Sequence, residues 1–379
     1  MVDREELAAW LRLLETPRLG RASVRKLLAA FGSPEGVLAA SARRRAEIVG
    51  APGAALLDVP PPDFDALLAR TQAWLAEVGT RAIVTLSDAA YPPPLLETAD
   101  PPLLLYAHGR LELLRAPGLA VVGSRNPTPQ GLDNARAFAR HFSQAGLTVV
   151  SGLALGVDGA AHEGALEGAG STIAVGGTGL DRVYPRQQRE LAHRIAEAGL
   201  MVSEYPLGMP PIDSNFPIRN RIIAGLTRGT LVVEAALQSG SLITARLALE
   251  AGRDVFAIPG SIHAPQSRGV HALIKQGAKL VDRAEDVLEE LRLAGETPRL
   301  GRPASGEPPS ARRAAPGATE VAHEDPLLAA LGYDPVTLDA LVERTGMGPA
   351  ELGARLLELE LQGHVARLPG QRFQRVARA

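Results

Sequence analysis

The stretch Leu119-Ala120-Val121-Val122-Gly123-Ser124-Arg125-Asn126-Pro127-Thr128 is an apolar run of strand length that ends in glycine, and a helical pattern over Leu132–Ala145 follows it. A strand, a glycine turn and a helix open a βα unit. Outward from it the pattern recurs. Strand-like runs at Leu119–Gly123, Leu147–Ser151, Thr172–Gly176, Leu200–Glu204, Thr230–Glu234, Asp254–Ile258 and Lys279–Asp282 alternate with helical stretches that include Asp158–Gly168, Gln188–Ala198, Ile218–Leu226 and Leu242–Ala251. Gly146, Gly170, Gly199 and Gly252 stand where helices close. Strands that are apolar throughout belong to a parallel sheet covered on both faces. Right-handed crossovers then wind the sheet in two directions. Residues 118–292 are thus expected to form an α/β domain with a doubly wound, Rossmann-like parallel sheet.

The flanks read differently. In residues 1–60, Leu7, Trp10, Leu11 and Leu14 recur at helical spacing, Thr16-Pro17-Arg18-Leu19-Gly20 breaks the helix, and Ser23–Phe31 starts another before Gly32-Ser33-Pro34. A second, weaker hairpin falls at Val49-Gly50-Ala51-Pro52-Gly53. This suggests a small helical domain of SAM or helix-hairpin-helix type. Such hairpins offer backbone N–H groups to phosphate, but Arg18 stands where the first glycine is usual, so a packing or protein-contact role competes. Residues 61–117 carry Pro92-Pro93-Pro94 and Pro101-Pro102 around a strand at Arg81–Leu86, which suggests a rigid extension over one side of the core. Residues 293–324 are rich in Pro, Gly, Ser and Ala and read as a flexible linker. In 325–379, helices at Leu327–Leu331, Thr337–Thr345 and Ala350–Gln362 precede a hairpin, His364–Leu368 with Arg372–Val376, which spells a winged helix.

Composition sets bounds. A chain of 379 residues suggests two or three domains, and 46% hydrophobic content argues against global disorder. The absence of cysteine excludes disulfides, thiolate zinc sites and Cys nucleophiles. No apolar run approaches the ~18 residues of a transmembrane helix, so membrane insertion is not expected. The acidic start Met1-Val2-Asp3-Arg4-Glu5-Glu6 lacks a signal-peptide pattern, which makes the cytoplasm the expected location. A net charge of −2 confines any polyanion site to a local patch. Lys26, Lys275 and Lys279 are the only lysines. Codon bias alone can favour arginine, so arginine position carries the argument rather than arginine number.

Ligands of doubly wound sheets sit outside the carboxyl ends of the strands. There, Gly123 permits a tight turn, Ser124 and Thr128 offer hydroxyls, Arg125 adds a planar cation, and the next helix points free N–H groups at the same place. This reads as a phosphate cradle. It is neither Gly-x-Gly-x-x-Gly nor a Walker A sequence. After the second strand, Ser151 and Gly152 repeat the pattern, and Asp158 reads as a helix cap. His162 reads as a packed histidine, since a zincin would need a second one where Leu166 stands, and no metal is expected. Tyr184 and Arg186 follow the third strand, Tyr205 the fourth, with Phe216-Pro217-Ile218-Arg219-Asn220-Arg221 further on. Gln238-Ser239-Gly240-Ser241 follows the fifth strand and Pro259-Gly260-Ser261 the sixth. Aromatics are only 4% of the chain, yet Tyr184, Tyr205 and Phe216 fall in these loops. Guanidinium groups for phosphates and ring faces for bases suit a single strand. Core packing of Tyr205 and Phe216 is the competing reading. No carboxylate pair, Ser–His–Asp order or metal cluster stands out, so no catalytic residue and no cofactor is assigned. Glu234 at a strand end reads as a backbone-bonding residue before a base.

Tyr91-Pro92, Ala120-Val121-Val122-Gly123-Ser124-Arg125, Val150-Ser151-Gly152-Leu153-Ala154, Tyr184-Pro185, Phe216 to Arg221, Val233-Glu234-Ala235, Ser239-Gly240-Ser241-Leu242-Ile243-Thr244-Ala245 and Val255-Phe256-Ala257-Ile258-Pro259-Gly260 occur in order. In these runs the chain resembles the DNA-processing protein A (DprA/Smf) family. His271 departs from it, where asparagine is usual. The resemblance implies a non-enzymatic binder of single-stranded DNA that shields strands entering by natural transformation. It also implies RecA recombinase as the partner loaded onto DNA and a homodimer built through the Rossmann-like domain. It assigns a phosphate role to Gly123, Ser124 and Arg125, a basic pocket to Arg186, Arg219 and Arg221, and DNA contacts to Ser239, Gly240 and Ser241. Residue types add Thr128, Ser151, Gly152, Tyr184, Phe216 and Asn220 to the expected interface.

The third helix of the winged helix carries Glu351, Glu358 and Glu360 against Arg355, an acidic face that phosphates would repel. The hairpin and tail carry Arg367, Arg372, Arg375 and Arg378. Any duplex DNA contact is therefore expected through the wing, with a protein-contact or dimer-supporting role as the competing reading. For the core, a Rossmann-like nucleotide phosphoribohydrolase is the alternative. It lacks support from a Pro-Gly-Gly-x-Gly-Thr run, since Arg228-Gly229-Thr230 precedes Glu234 instead.

Overall fold

The protein is described here by a computed structural model covering residues 3–77, 79–293 and 325–376. The linker expected over 293–324 lies outside the described residues except for Leu293, and so does Arg378. Contacts divide the chain into two units. The first is Met1–Pro127, Gly131–Gly260 and Gln266–Asp282; the second is Thr128–Gln130, Ser261–Pro265 and Arg283–Ala379.

The first unit begins with helices. In α1 (Arg4–Leu14) the Asp3 carboxylate accepts from the N–H groups of Glu5 and Glu6, both at 2.9 Å, and caps the first turn. Leu7, Trp10, Leu11 and Leu13 bury the opposite face. Next come α2 (Arg21–Phe31), α3 (Pro34–Ala39), α4 (Ala42–Ala55) and α5 (Phe64–Ala76). Gly50, at φ 76°, kinks α4 where the second hairpin was expected.

The proline-rich stretch does more than cover the core. It contributes β1 (Arg81–Thr85), α6 (Pro93–Leu96) and β2 (Leu104–Gly109). The two strands pair antiparallel, and β2 joins the main sheet. The prolines sit outside both strands, where no ladder N–H is needed.

The parallel core follows as β3 (Gly118–Val122), α7 (Pro129–Gln144), β4 (Thr148–Ser151), α8 (Val157–Ala165), β5 (Thr172–Val175), α9 (Arg189–Ala198), β6 (Leu200–Ser203), α10 (Asn215–Gly225), β7 (Gly229–Val232), α11 (Ser241–Glu250), β8 (Asp254–Ala257), α12 (Arg268–Lys275) and β9 (Lys279–Leu280). The sheet order is β1-β2-β6-β5-β4-β3-β7-β8-β9, and β2 meets β6 antiparallel while β3 to β9 pair parallel. Every residue of β3, β4, β5, β6 and β7 is buried, as a sheet covered on both faces requires. The doubly wound α/β fold expected from sequence is the fold observed.

The second unit holds α13 (Ala284–Leu293), then a winged helix of α14 (Pro326–Leu331), β10 (Val336–Thr337), α15 (Leu338–Thr345), α16 (Pro349–Leu361), β11 (Val365–Leu368) and β12 (Arg372–Arg375). The strands pair in the order β10-β12-β11. Leu341, Leu352, Leu356 and Phe373 pack at its centre. Among the described residues, no helix is long and apolar enough to cross a membrane.

Candidate nucleic-acid interface

From β3 the chain steps outward through β4, β5 and β6, then returns to the other side of β3 with β7. The reversal opens a crevice at the carboxyl ends of β3 and β7, the usual ligand position in such sheets. A cleft of about 490 Å³ fills it. Its walls are the loop after β3 (Gly123 to Asn126), the loop before α11 (Gln238 to Ser241) and the first turns of α10 (Phe216, Arg219 and Asn220).

Small polar groups shape these walls. The Asn126 N–H donates to Ser124 Oγ at 3.1 Å and rounds the first loop. Ser239 Oγ and Ser241 Oγ lie 2.7 Å apart, and Asn220 Nδ2 donates to the Gly240 carbonyl at 3.3 Å. The first N–H groups of α11 are already engaged, Ser241 with Ser239 Oγ at 3.3 Å, Leu242 with the Ser239 carbonyl and Ile243 with the Gly240 carbonyl, both at 3.1 Å, so α11 brings its dipole to the cleft rather than free donors. Helix α7 differs. A Cβ added to Gly131 would lie 2.6 Å from Glu234 Oε1, so the Glu234 carboxylate already rests on its first turn. The free N–H groups expected there are covered by this built-in anion. Arg125 is exposed and has no ion pair among the described residues.

The floor is tightly built. Gly156 has φ 80°, and a Cβ there would lie 2.7 Å from the Arg125 carbonyl oxygen, so the loop after β3 presses directly on the start of α8. Below it, Arg219 is 4% exposed. Its Nη1 donates to the Gly152 carbonyl at 2.7 Å and to the Val175 carbonyl, which ties the ends of β4 and β5 together. Burial pulls its pKa down to about 10, Asp158 opposes this and Arg125 reinforces it, so the group stays charged at neutral pH. Asp158 is not the helix cap expected. Its carboxylate accepts from the Gly152 and Ala154 N–H groups at 3.1 and 3.4 Å and holds the loop before α8. Burial raises its pKa, against the pull of Arg219 and these two N–H groups.

The family described as DNA recombination-mediator protein A matches residues 82–292, and the DprA winged helix domain matches residues 309–371. The Smf protein of Escherichia coli K12 is 45% identical over 299 residues, covering 78% of each chain. The chain belongs to the DprA/Smf family. The Streptococcus pneumoniae DNA processing protein DprA is 50% identical over 206 residues, 54% of this chain and 73% of that protein. Its crystal structure superposes with a TM-score of 0.66 at 40% identity, over 75% of this chain and 97% of that one. DNA processing protein A of Helicobacter pylori, solved to explain its single-stranded DNA binding mode, gives 0.51 at 33% identity over 56% and 96%.

In this DprA/Smf chain the cleft brings together Gly123, Ser124, Arg125, Phe216, Arg219, Asn220, Ser239, Gly240 and Ser241. Tyr184 adjoins it. Its ring centroid lies 5.3 Å from that of Phe216, and it is 47% exposed. Gly177 leaves room for the Phe216 ring, 2.7 Å from where its Cβ would stand. Arg186 is exposed two residues further on, with no ion pair among the described residues.

Other placements correct the sequence reading. Arg221 does not share the pocket: it bonds to Asp100 at 2.9 Å and Glu204 at 2.6 Å, beside Arg21 and Arg25 from α2. Ser151 is fully buried and donates to the Val121 carbonyl at 2.7 Å. Gly152 lies beneath the Arg219 guanidinium. Thr128 groups with the second unit. Tyr205 donates to the Asn215 carbonyl at 3.1 Å, and burial pushes its pKa up to about 12. His162 is fully buried, as its packing role requires. His271 Nε2 donates to the Gly260 carbonyl at 3.0 Å. Asn126, Ala154, Gln238 and Thr244 also line the cleft and were not singled out, because only their place beside a strand end or in the first turn of α11 marks them.

In the winged helix, Arg355 of α16 pairs with Glu358 and with Asp325, the latter at 2.8 Å. Arg367 and Arg372 of the hairpin are exposed and have no ion pair among the described residues. Arg375 lies 4.8 Å over the Tyr333 ring.

Proposed function

We propose that this chain binds single-stranded DNA along the cleft at the end of β3 and β7, and acts in DNA processing without catalysing a reaction. Family membership supports the DNA-processing role, and the single-stranded DNA binding of the Helicobacter pylori relative supports the ligand. The observation that carries the reading is Arg125, an exposed guanidinium with no ion pair among the described residues, on a cleft walled by small polar groups and the positive end of α11. Phosphates sit against Ser124, Arg125 and Ser239 to Ser241, while Phe216 and Tyr184 offer ring faces to bases, with Arg186 on the flank. Buried Arg219 adds positive potential from below rather than a direct contact.

On the same reading the protein is a cytoplasmic homodimer that shields strands taken up in natural transformation and loads RecA onto them. Arg367 and Arg372 of the wing supply a further DNA contact. Glu234 is engaged at α7, which does not favour a nucleotide-hydrolysing role.

Fluorescence anisotropy with a mixed-sequence oligonucleotide tests the cleft. Log affinity should fall against log salt with a slope of about −0.7 per phosphate engaged. Arg125→Ala should weaken binding about tenfold on every sequence and flatten the slope by about 0.7. Unchanged affinity and slope would place the strand elsewhere.

A further inference from the structure

Helix α16 carries two apolar faces where a surface helix needs one. Leu352, Leu356 and Leu359 are buried in the winged-helix core. On the opposite side Leu357 is 56% exposed and Leu361 81%. At ~100° per residue they share a strip about 60° wide with Ala350 and Ala354, both exposed. Single exposed leucines are common on protein surfaces, but these two stand one helical turn apart and form one patch. Carboxylates border it, Glu351 and Glu358 along one edge and Glu360 along the other. Glu351 and Glu360 have no ion pair among the described residues. The one arginine of the helix, Arg355, is already held by Glu358 and by Asp325, the latter at 2.8 Å.

We propose that this face of α16 docks a basic amphipathic helix of a partner protein, whose apolar side chains cover Leu357 and Leu361 while its lysines or arginines meet the flanking glutamates. Charge selects this occupant. Nucleic acid and anionic lipid would meet the glutamates and be repelled. A second copy of the chain, joined through the same face, would set those glutamates against their own equivalents. Shape points the same way. An extended segment gains its affinity from main-chain hydrogen bonds, and a helix face has no free backbone groups to offer it. Ala350 and Ala354 are small enough to let a second helix come close, and the two leucines then fill the spaces between its side chains. This surface lies outside the DNA cleft, and its failure would leave the single-strand reading untouched.

Fluorescence anisotropy of the full chain with a labelled peptide of about 18 residues, five helical turns, tests it. The peptide carries leucines at i, i+3, i+4 and i+7 spacing and lysines elsewhere. One control of the same composition spreads its leucines around the helix, and another has glutamate for lysine. Saturable binding of the first peptide, one per chain, is expected, at least about tenfold tighter than either control. Leu357→Ser combined with Leu361→Ser should weaken it about tenfold. Glu351→Gln combined with Glu360→Gln should weaken it several-fold and flatten its dependence on salt. Because both leucines are exposed, the leucine variant should unfold at the same urea concentration as the parent and bind an oligonucleotide equally well. No saturable binding, equal binding of the three peptides, or binding indifferent to the leucine variant overturns the proposal. So would a loss of oligonucleotide affinity in that variant, which would make α16 a DNA surface. A smaller assembly of that variant in sedimentation would also overturn it, since a second copy would then cover the face.

Discussion

Arg219 lies charged beneath the cleft on the Gly152 and Val175 carbonyls, with the Asp158 carboxylate opposing the effect of burial. Gly152 makes this possible. A Cβ at that position would lie 2.7 Å from the guanidinium carbon. Gly152→Ala should therefore destabilise the fold by about 1–3 kcal/mol, read as a lower midpoint in urea unfolding. His162 is the second buried polar group with a measurable signature. Its Nε2 accepts from the Leu153 N–H at 3.3 Å, so Nδ1 carries the proton and donates to Thr172 Oγ1 at 2.7 Å. Burial lowers its pKa to about 3, from an ordinary 6.5, with Arg219 adding to the shift. The folded state thus refuses a proton that the unfolded chain accepts. Stability from this group is complete above pH 6.5 and falls by about 1.4 kcal/mol per pH unit as the pH drops toward 3. The difference in unfolding free energy between the parent and His162→Gln should shrink across that window; a constant difference would contradict a neutral buried imidazole. At this scale the sequence could have corrected itself. Arg219 and Arg221 were read as one basic pocket, yet residues two apart on a helix face different ways. Once Ile218–Leu226 reads as helical, only one of them can reach the cleft, and Arg221 reaches Asp100 and Glu204 instead.

The elements of the parallel core were legible because each strand is a short buried apolar run followed by a glycine-marked turn, two signals that agree. Strand β2 was not. Leu103-Leu104-Leu105-Tyr106-Ala107 is equally apolar, but Pro101-Pro102 immediately before it suggested an irregular cover. Proline forbids the ladder only where it stands, and here it stands just outside the strand. The cleft walls were legible where residue type carried chemistry, as at Ser124, Arg125 and Ser239, and illegible where Ala154 or Thr244 contributes by position alone. Nothing in the sequence announced that Glu234 would cover the first turn of α7, because that contact depends on the spacing of β7 from β3. The turn between α1 and α2 is a separate case. Arg18 takes φ 66°, a left-handed conformation costing a non-glycine residue roughly 1 kcal/mol. It is exposed, so Arg18→Gly should raise stability by a few tenths to about 1 kcal/mol in thermal or urea unfolding. A loss of stability would mean that the arginine side chain contributes a contact of its own.

For the molecule as a whole, the near-neutral net charge of −2 conceals a division of labour among its arginines. Arg21, Arg25 and Arg221 neutralise Asp100 and Glu204 and fasten the N-terminal helices to the sheet. Arg219 bonds to backbone under the cleft, and Arg355 bonds to acids in the winged helix. Arg125 and Arg186, with Arg367 and Arg372 of the second unit, remain exposed without an acidic partner among the described residues. Binding to a polyanion should therefore depend on a few positions and respond strongly to salt, rather than on the bulk arginine content. Hydrogen–deuterium exchange of the full chain, with and without a saturating oligonucleotide, tests the central claim most directly. The account predicts new protection at residues 123–126 and 238–242, and no change at residues 98–102 around Asp100, the partner of Arg221. Protection confined to residues 365–376, with the cleft loops exchanging as in the free protein, would contradict it.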